Sequence, residues 1–376
     1  MAACVSAETI GGGTSPPTGY VRCVSKTERP FGLLSTHHVN RTWPQLVGLV
    51  CVVALLYAAG GVGMAYVAGF GAVHRRLADA HWWWLAPSFA AIVVSFVGYF
   101  FAYRGIKWAE NGPDLDTPAL LAVVTAGFGG FLAHGGTALD EFAMRAGGAS
   151  EREAKVRIGA LAGFEHGVLA LIVCPAAIAA LLLGVVIPRT DLTWPWALIP
   201  VPASVVVIAL AERFRDRLRG RGGWRKRLGR FFDVAHLVYI VLRHPGKRAP
   251  AILGMAVFWG ADMFALWAAT AAFGFRMTAL SVIVAVGTGM VFTRRTAPLA
   301  GGGILLVALV ATLWYGAAVP YAAATLGVAA YRFFTLWAPL PAAIAALPKL
   351  RELGRTGEGA SGHGTRADKG EPALQH

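Results

Sequence analysis

Charge is scarce in this chain. Asp, Glu, Lys and Arg together make up 14% of 376 residues, and the acids are the rarer sign, 20 against 34 basic side chains. Soluble domains carry about 25% charged residues, so so little charge over this length argues against a water-exposed globule. Cysteine is scarce as well: Cys4, Cys23, Cys51 and Cys174 form no CxxC pair, and two of them lie in apolar runs. That excludes a disulfide framework and a cysteine metal cluster. No nucleophile elbow, Walker loop or HExxH occurs, and those patterns are what acyl transfer, nucleotide hydrolysis and zinc proteolysis require. His37, His38, His74 and His81 lack the spacing of metal ligands, so no metal or other cofactor is expected.

What the chain has is apolar sequence. Hydrophobic residues make up 56% of it, with a mean hydropathy of +0.57, above the roughly 45–50% apolar share of soluble domains. The runs are rich in Ala, Gly, Leu and Val and reach about 20 residues, the length a membrane-crossing helix needs; barrel strands alternate over about 10. Small residues let such helices approach closely. The composition therefore predicts an all-α polytopic membrane protein.

Apolar segments run over Leu46–Phe70, Trp83–Tyr103, Ala119–Ala133, Ile158–Ile187, Thr193–Leu210, Pro250–Gly274, Leu280–Thr293, Ile304–Gly316 and Pro320–Leu347. The first reads as an uncleaved signal anchor behind a polar tail, residues 1–43. Residues 351–376 are polar and Gly-rich and read as a disordered C-terminal tail. The segment 44–350 is then the transmembrane domain, with a basic loop over 213–248 between its halves.

The net charge of +14 raises nucleic acid as a partner, but much of it sits in that one juxtamembrane loop, where a basic run faces anionic headgroups and fixes topology. Twelve Lys or Arg lie between Arg213 and Arg248, and the N-terminal tail carries Arg22, Lys26, Arg29 and Arg41. Both stretches belong in the cytoplasm by the positive-inside rule. An even number of crossings must separate them, yet five apolar segments do. Ala119–Ala133 is the one expected to turn back, because it is short and broken by Gly127, Gly129 and Gly130, and non-helical backbone at membrane depth must be buried or line a cavity. The expectation is about six full spans plus two re-entrant hairpins in the plasma membrane, with both termini cytoplasmic.

An internal repeat fits that count. Setting Phe131 beside Phe292 brings His134 near Arg295, and setting Gly148 beside Gly316 aligns Ala154 with Ala322, Gly159 with Gly327 and Phe164 with Arg332. Trp83–Tyr103 would run inward and Pro250–Gly274 outward, the pattern of inverted-repeat transporters, whose broken helices mark a midplane site.

Candidate site residues follow from charge in apolar surroundings. Glu165 and His166, Asp262 and Arg332 all fall inside spans, where a charge costs about 2.5–3.5 kcal/mol and must face the interior or a partner. Arg294 and Arg295 precede Pro298 and a turn at Gly301, Gly302 and Gly303; two guanidiniums beside freed backbone N–H groups suit a phosphate. One reading has the arginines hold a lipid phosphate while the acids and His166 balance charge or meet a cationic headgroup. The other has Arg332 paired with Glu165 or Asp262 for packing alone. His166 by itself reads as a satisfied helix histidine, Asp140-Glu141 and Glu151-Arg152-Glu153 as a solvated face, and Trp82, Trp83 and Trp84 as an interfacial belt.

The run RRTAPLAGGG (Arg294–Gly303), the small residues Ala317–Ala324 and the stretch AAYRFFTLWAPLPA (Ala329–Ala342) resemble the C-terminal signature of the flippase-like family named for the transmembrane region of lysylphosphatidylglycerol synthase. Leu132–Ala154 is similar to the family's first-half element. The resemblance spans roughly residues 44 to 350 and implies re-entrant helices, inverted repeats and movement of a lipid between leaflets. Many members carry a Glu after the glycines, where this chain has Leu305, Leu306 and Val307, and that weakens any carry-over of a cationic lysyl lipid. The residues after Leu350, 351–376, are too few for the synthase domain, so no aminoacyl transfer is expected. The expected role is translocation of an anionic phospholipid or lipid-linked headgroup, with a membrane-embedded polyprenyl-phosphate transferase or a non-catalytic assembly subunit as the alternatives. Expected partners are anionic membrane lipids, with a second copy of the chain or a lipid-synthesis enzyme as protein candidates, and no nucleic acid.

Overall fold

A computed structural model describes residues 43–107, 115–128, 136–184, 190–218, 223–243, 245–291 and 298–364. Among the described residues every regular element is helical. In chain order these are α1 (Trp43–Ala68), α2 (Phe70–Ala78), a 3-10 turn (Trp82–Trp84), α3 (Leu85–Lys107), α4 (Thr117–Phe128), α5 (Gly136–Ala146) and α6 (Glu151–Leu182). There follow α7 (Thr190–Leu198), α8 (Pro200–Leu218), α9 (Trp224–Arg243), α10 (Pro245–Ala272), α11 (Ala279–Val291), α12 (Pro298–Ala317), α13 (Tyr321–Arg332), a π-helical segment (Phe333–Trp337) and α14 (Leu340–Gly364).

Six stretches are long and apolar enough to cross a membrane: Trp43–Ala68, Trp82–Ile106, Glu151–Leu182, Asp191–Leu218, Arg248–Ala272 and Tyr321–Arg355. They coincide with the six long runs of the sequence, and the shorter apolar helices Thr117–Phe128, Ala279–Met290 and Leu306–Ala317 with the three short ones. At 1.5 Å per residue the 12 residues of α4 reach about 18 Å, well short of the roughly 30 Å hydrocarbon core. The 32 residues of α6 reach about 48 Å by the same rise and project beyond it.

Several helices begin where side chains satisfy the first free N–H groups. Asp116 Oδ1 accepts from Ala119 N at 2.9 Å ahead of α4. Ser150 Oγ accepts from Glu153 N at 3.3 Å ahead of α6, in a Ser-x-x-Glu pattern that also puts two acids at the positive helix end. Thr278 Oγ1 accepts from Ser281 N at 3.3 Å ahead of α11.

The centre is an antiparallel seam between α3 and α10. A Cβ at Gly98 would stand 2.6 Å from the carbonyl oxygen of Gly254, and one at Gly254 2.6 Å from that of Gly98. Gly105 is pressed on Ala251 in the same way, and Ser88 Oγ donates to the Ala265 carbonyl at 2.8 Å. Glycine is needed here because backbone meets backbone. Around this seam α14 packs on α4 and α5, while α6 packs on α11, where a Cβ at Gly287 would come 2.5 Å from Val173. The helix α1 covers parts of α12 and α13 and otherwise faces outward.

Two expectations need correction. The basic segment 213–248 is no loop: α8 runs on to Leu218, and α9 folds back on it as a helical hairpin. Buried Phe232, Leu237 and Val241 form its inner face, and Asp233 binds Arg152 of α6 at 2.8 Å while His236 binds Glu212 of α8 at 2.6 Å. Nor does the chain lose structure at residue 351. α14 continues to Gly364 because Leu350 is buried and Gly354 lies against the Phe142 ring of α5. The remaining tail positions, 1–42 and 365–376, lie outside the described residues.

Candidate functional site

Two of the acids singled out in the spans lie on or against α10. Asp262, near the middle of that helix, is buried, and its Oδ2 accepts from the Tyr331 hydroxyl of α13 at 2.9 Å. One turn earlier on α10, the Trp259 indole donates to the backbone carbonyl of Glu165 on α6 at 2.8 Å. Trp259 and the Glu165 side chain are buried too. α10 thus touches α6 through Trp259 and the Glu165 carbonyl, and α13 through Asp262 and Tyr331.

Arg332 follows Tyr331 directly and is half-buried. Its Nη1 donates to Thr335 Oγ1 at 3.2 Å, a residue of the π-helical segment that starts at Phe333. Single π turns inside helices often occur at functional sites, since they free carbonyls and re-aim side chains. On the far side, the Tyr57 hydroxyl of α1 donates to the Ala329 carbonyl, its ring meets Trp337 edge-on at 6.1 Å, and Arg332 acts on it electrostatically. Polar contacts thus tie the Glu165 backbone to Trp259 and Asp262 to Tyr331 across α6, α10 and α13, and a second group joins Arg332 with Thr335 and Tyr57.

Placing an acid at this depth costs about 2.5–3.5 kcal/mol, and a hydrogen bond to a charged group returns about 1.5–3 kcal/mol. The Tyr331 bond thus offsets part of the cost of Asp262.

Other expected residues are placed differently. His166 Nδ1 lies 2.8 Å from the Ala162 carbonyl of its own helix; a carbonyl only accepts, so this nitrogen is the donor, as in a satisfied helix histidine. Gly301, Gly302 and Gly303 do not form a turn. They lie in the first turns of α12, which opens on Pro298, the residue suited to a first helical position because it has no N–H to satisfy. Arg294 and Arg295 lie outside the described residues. Asp140, read as solvated, is buried, whereas Glu141 and Glu151 pair with half-buried Lys155 and half-exposed Glu153 pairs with buried Arg157. Trp82 and Trp83 are exposed at a helix entrance, as a belt requires, and Trp337 lies deeper in the π segment.

Sequence reasoning missed Tyr57, Tyr331 and Trp259, which look like ordinary aromatics of an apolar run. It also missed the π segment, which no spacing announces. No protein-family model and no curated protein matches this chain.

Proposed function

We propose that this protein is a multi-pass lipid translocase of the flippase type, carrying an anionic phospholipid or lipid-linked headgroup between leaflets of the plasma membrane. The observation that carries the reading is the buried Asp262–Tyr331 pair beside Arg332, a polar interior where α6, α10 and α13 meet. A headgroup would pass these groups while its acyl chains stay in lipid.

The helix arrangement supports the transporter part of the reading. On the proposed reading, α4–α5 and α11–α12 act as re-entrant hairpins, and α3–α6 and α10–α14 as inverted repeats. The glycine contact at the seam is reciprocal, Gly98 to Gly254 and back, as a two-fold relation demands. The long helix of each half grips the broken pair of the other, α14 on α4 and α6 on α11. The aligned Gly159 and Gly327 both sit at tight crossings, against Val234 and Thr270. In this reading Arg294 and Arg295, which lie outside the described residues, take the role of binding a phosphate.

The experiment is leaflet accessibility of a labelled anionic phospholipid in proteoliposomes. Transport should appear with the protein, fall at least about tenfold in Asp262→Asn and Arg332→Gln, and vanish in the double change Arg294→Gln, Arg295→Gln. No protein-dependent change in accessibility across a panel of anionic lipids would sink the proposal.

A further inference from the structure

The end of the bundle remote from the α8–α9 hairpin carries a cluster that translocation does not use. Ala251 of α10 packs on Gly105, and Arg157 reaches the Ile106 carbonyl at 3.5 Å, so the start of α10 lies at the basic end. The helix ends at Ala272, about 30 Å away at 1.5 Å per residue. There the turn after α10 meets α2 and the tryptophan run. His81 N donates to the Ala272 carbonyl at 2.7 Å, and Trp82 meets Phe273 edge-on at 6.0 Å.

Two arginines meet this turn, and a third, Arg75, precedes one of them on α2. Arg76 of α2 points Nη1 at the carbonyls of Phe273 and Gly274, 3.4 Å from each. Arg276 lies 5.4 Å over the Trp84 ring, which is itself set by Trp83 at 4.1 Å and Trp267 at 5.2 Å. Arg75 is the exposed neighbour of Arg76. Among the described residues no carboxylate pairs with any of the three. Asp79, in the same stretch, caps α2 through its backbone, and His81 Nδ1 donates to the Asp79 carbonyl at 3.0 Å.

Positive charge at this end is not what orientation asks for, since the basic hairpin already marks the opposite end as cytoplasmic. Its surroundings have the composition of the headgroup layer. Trp82, Trp83, Phe70 and Leu77 are exposed, as amphipathic rings and short interfacial helices are at the boundary of bilayer and water. An arginine stacked on a ring keeps its edge N–H groups for an anion, and planar guanidiniums suit the paired oxygens of a phosphodiester.

We infer that Arg75, Arg76 and Arg276, framed by Trp82, Trp83 and Trp84, form a docking site for the phosphodiester headgroup of an anionic phospholipid in the leaflet facing this end. The acyl chains of that lipid run along the exposed aromatic faces. The site does not depend on translocation.

Native mass spectrometry of the full chain in detergent, titrated with phosphatidylglycerol or phosphatidylcholine of equal chain length, tests the site without any transport readout. The wild-type protein should retain the anionic lipid preferentially. The double change Arg75→Gln, Arg276→Gln, which spares the carbonyl contacts of Arg76, should weaken that retention at least about tenfold. Millimolar inorganic phosphate should leave the bound lipid in place. As a check on the unmutated protein, brominated phosphatidylglycerol should quench tryptophan fluorescence more than brominated phosphatidylcholine does. Equal retention by wild type and variant, displacement by phosphate, or equal quenching by the two lipids would overturn the inference.

Discussion

At the scale of single residues, the interior is built from groups that each have one tolerable neighbour. Tyr331→Phe removes the hydroxyl that Asp262 accepts from at 2.9 Å. The variant should lose about 1–3 kcal/mol of stability, read as a lower unfolding midpoint in detergent. Asp262→Asn, which still accepts that hydrogen bond, should cost less stability while lowering transport. Gly98→Ala would drive a methyl to 2.6 Å from the Gly254 oxygen and 2.7 Å from the Phe258 nitrogen, neither of which can rotate away. A cost of about 1–3 kcal/mol is expected there. Gly127→Ala, with nothing within 4 Å of the new methyl, should be neutral or gain about 0.5–1 kcal/mol. Glu165, Asp262 and Arg332 were legible in the sequence because charge in an apolar run stands out. Their partners were not: Tyr331 is 69 residues from Asp262, and nothing local ties a tyrosine to a carboxylate so far along the chain.

Among the elements, the π-helical segment Phe333–Trp337 is the most informative departure from regular geometry. It lies between Arg332 and α14, so the extra residue in its wide turn sets how the two ends of this long span are rotated against each other. Deleting Leu336 should restore regular α-helical winding and remove the widened turn that follows Arg332. Helix content by circular dichroism should stay unchanged while lipid movement is lost. Of the elements, the long spans were readable from hydropathy alone. α9 was not, because its many arginines concealed the spacing of Phe232, Leu237 and Val241. α14 outran its apolar run because burial against α5, not composition, keeps it helical.

For the whole molecule, the two ends carry separate cationic surfaces, the α8–α9 hairpin and the arginine–tryptophan cluster. The proposed orientation predicts opposite labelling of the two by a membrane-impermeant thiol reagent, in cells carrying one added cysteine on a cysteine-free background. Trp83→Cys should react from outside, and Arg225→Cys only after the membrane is opened. Labelling of both from one side would overturn the six-crossing topology.

The outlying helix α1 adds one further dimension. Its 26 residues extend about 39 Å, longer than a hydrocarbon layer of roughly 30 Å, and a helix with such excess length leans to fit. Most of its surface faces outward, so its lean follows bilayer thickness more than protein packing. Tyr57 fastens it to the Ala329 carbonyl, three residues ahead of Arg332. In the proposed orientation, the thickness of the surrounding membrane, and with it the length of its acyl chains, would bear on the turn of helix that carries half-buried Arg332.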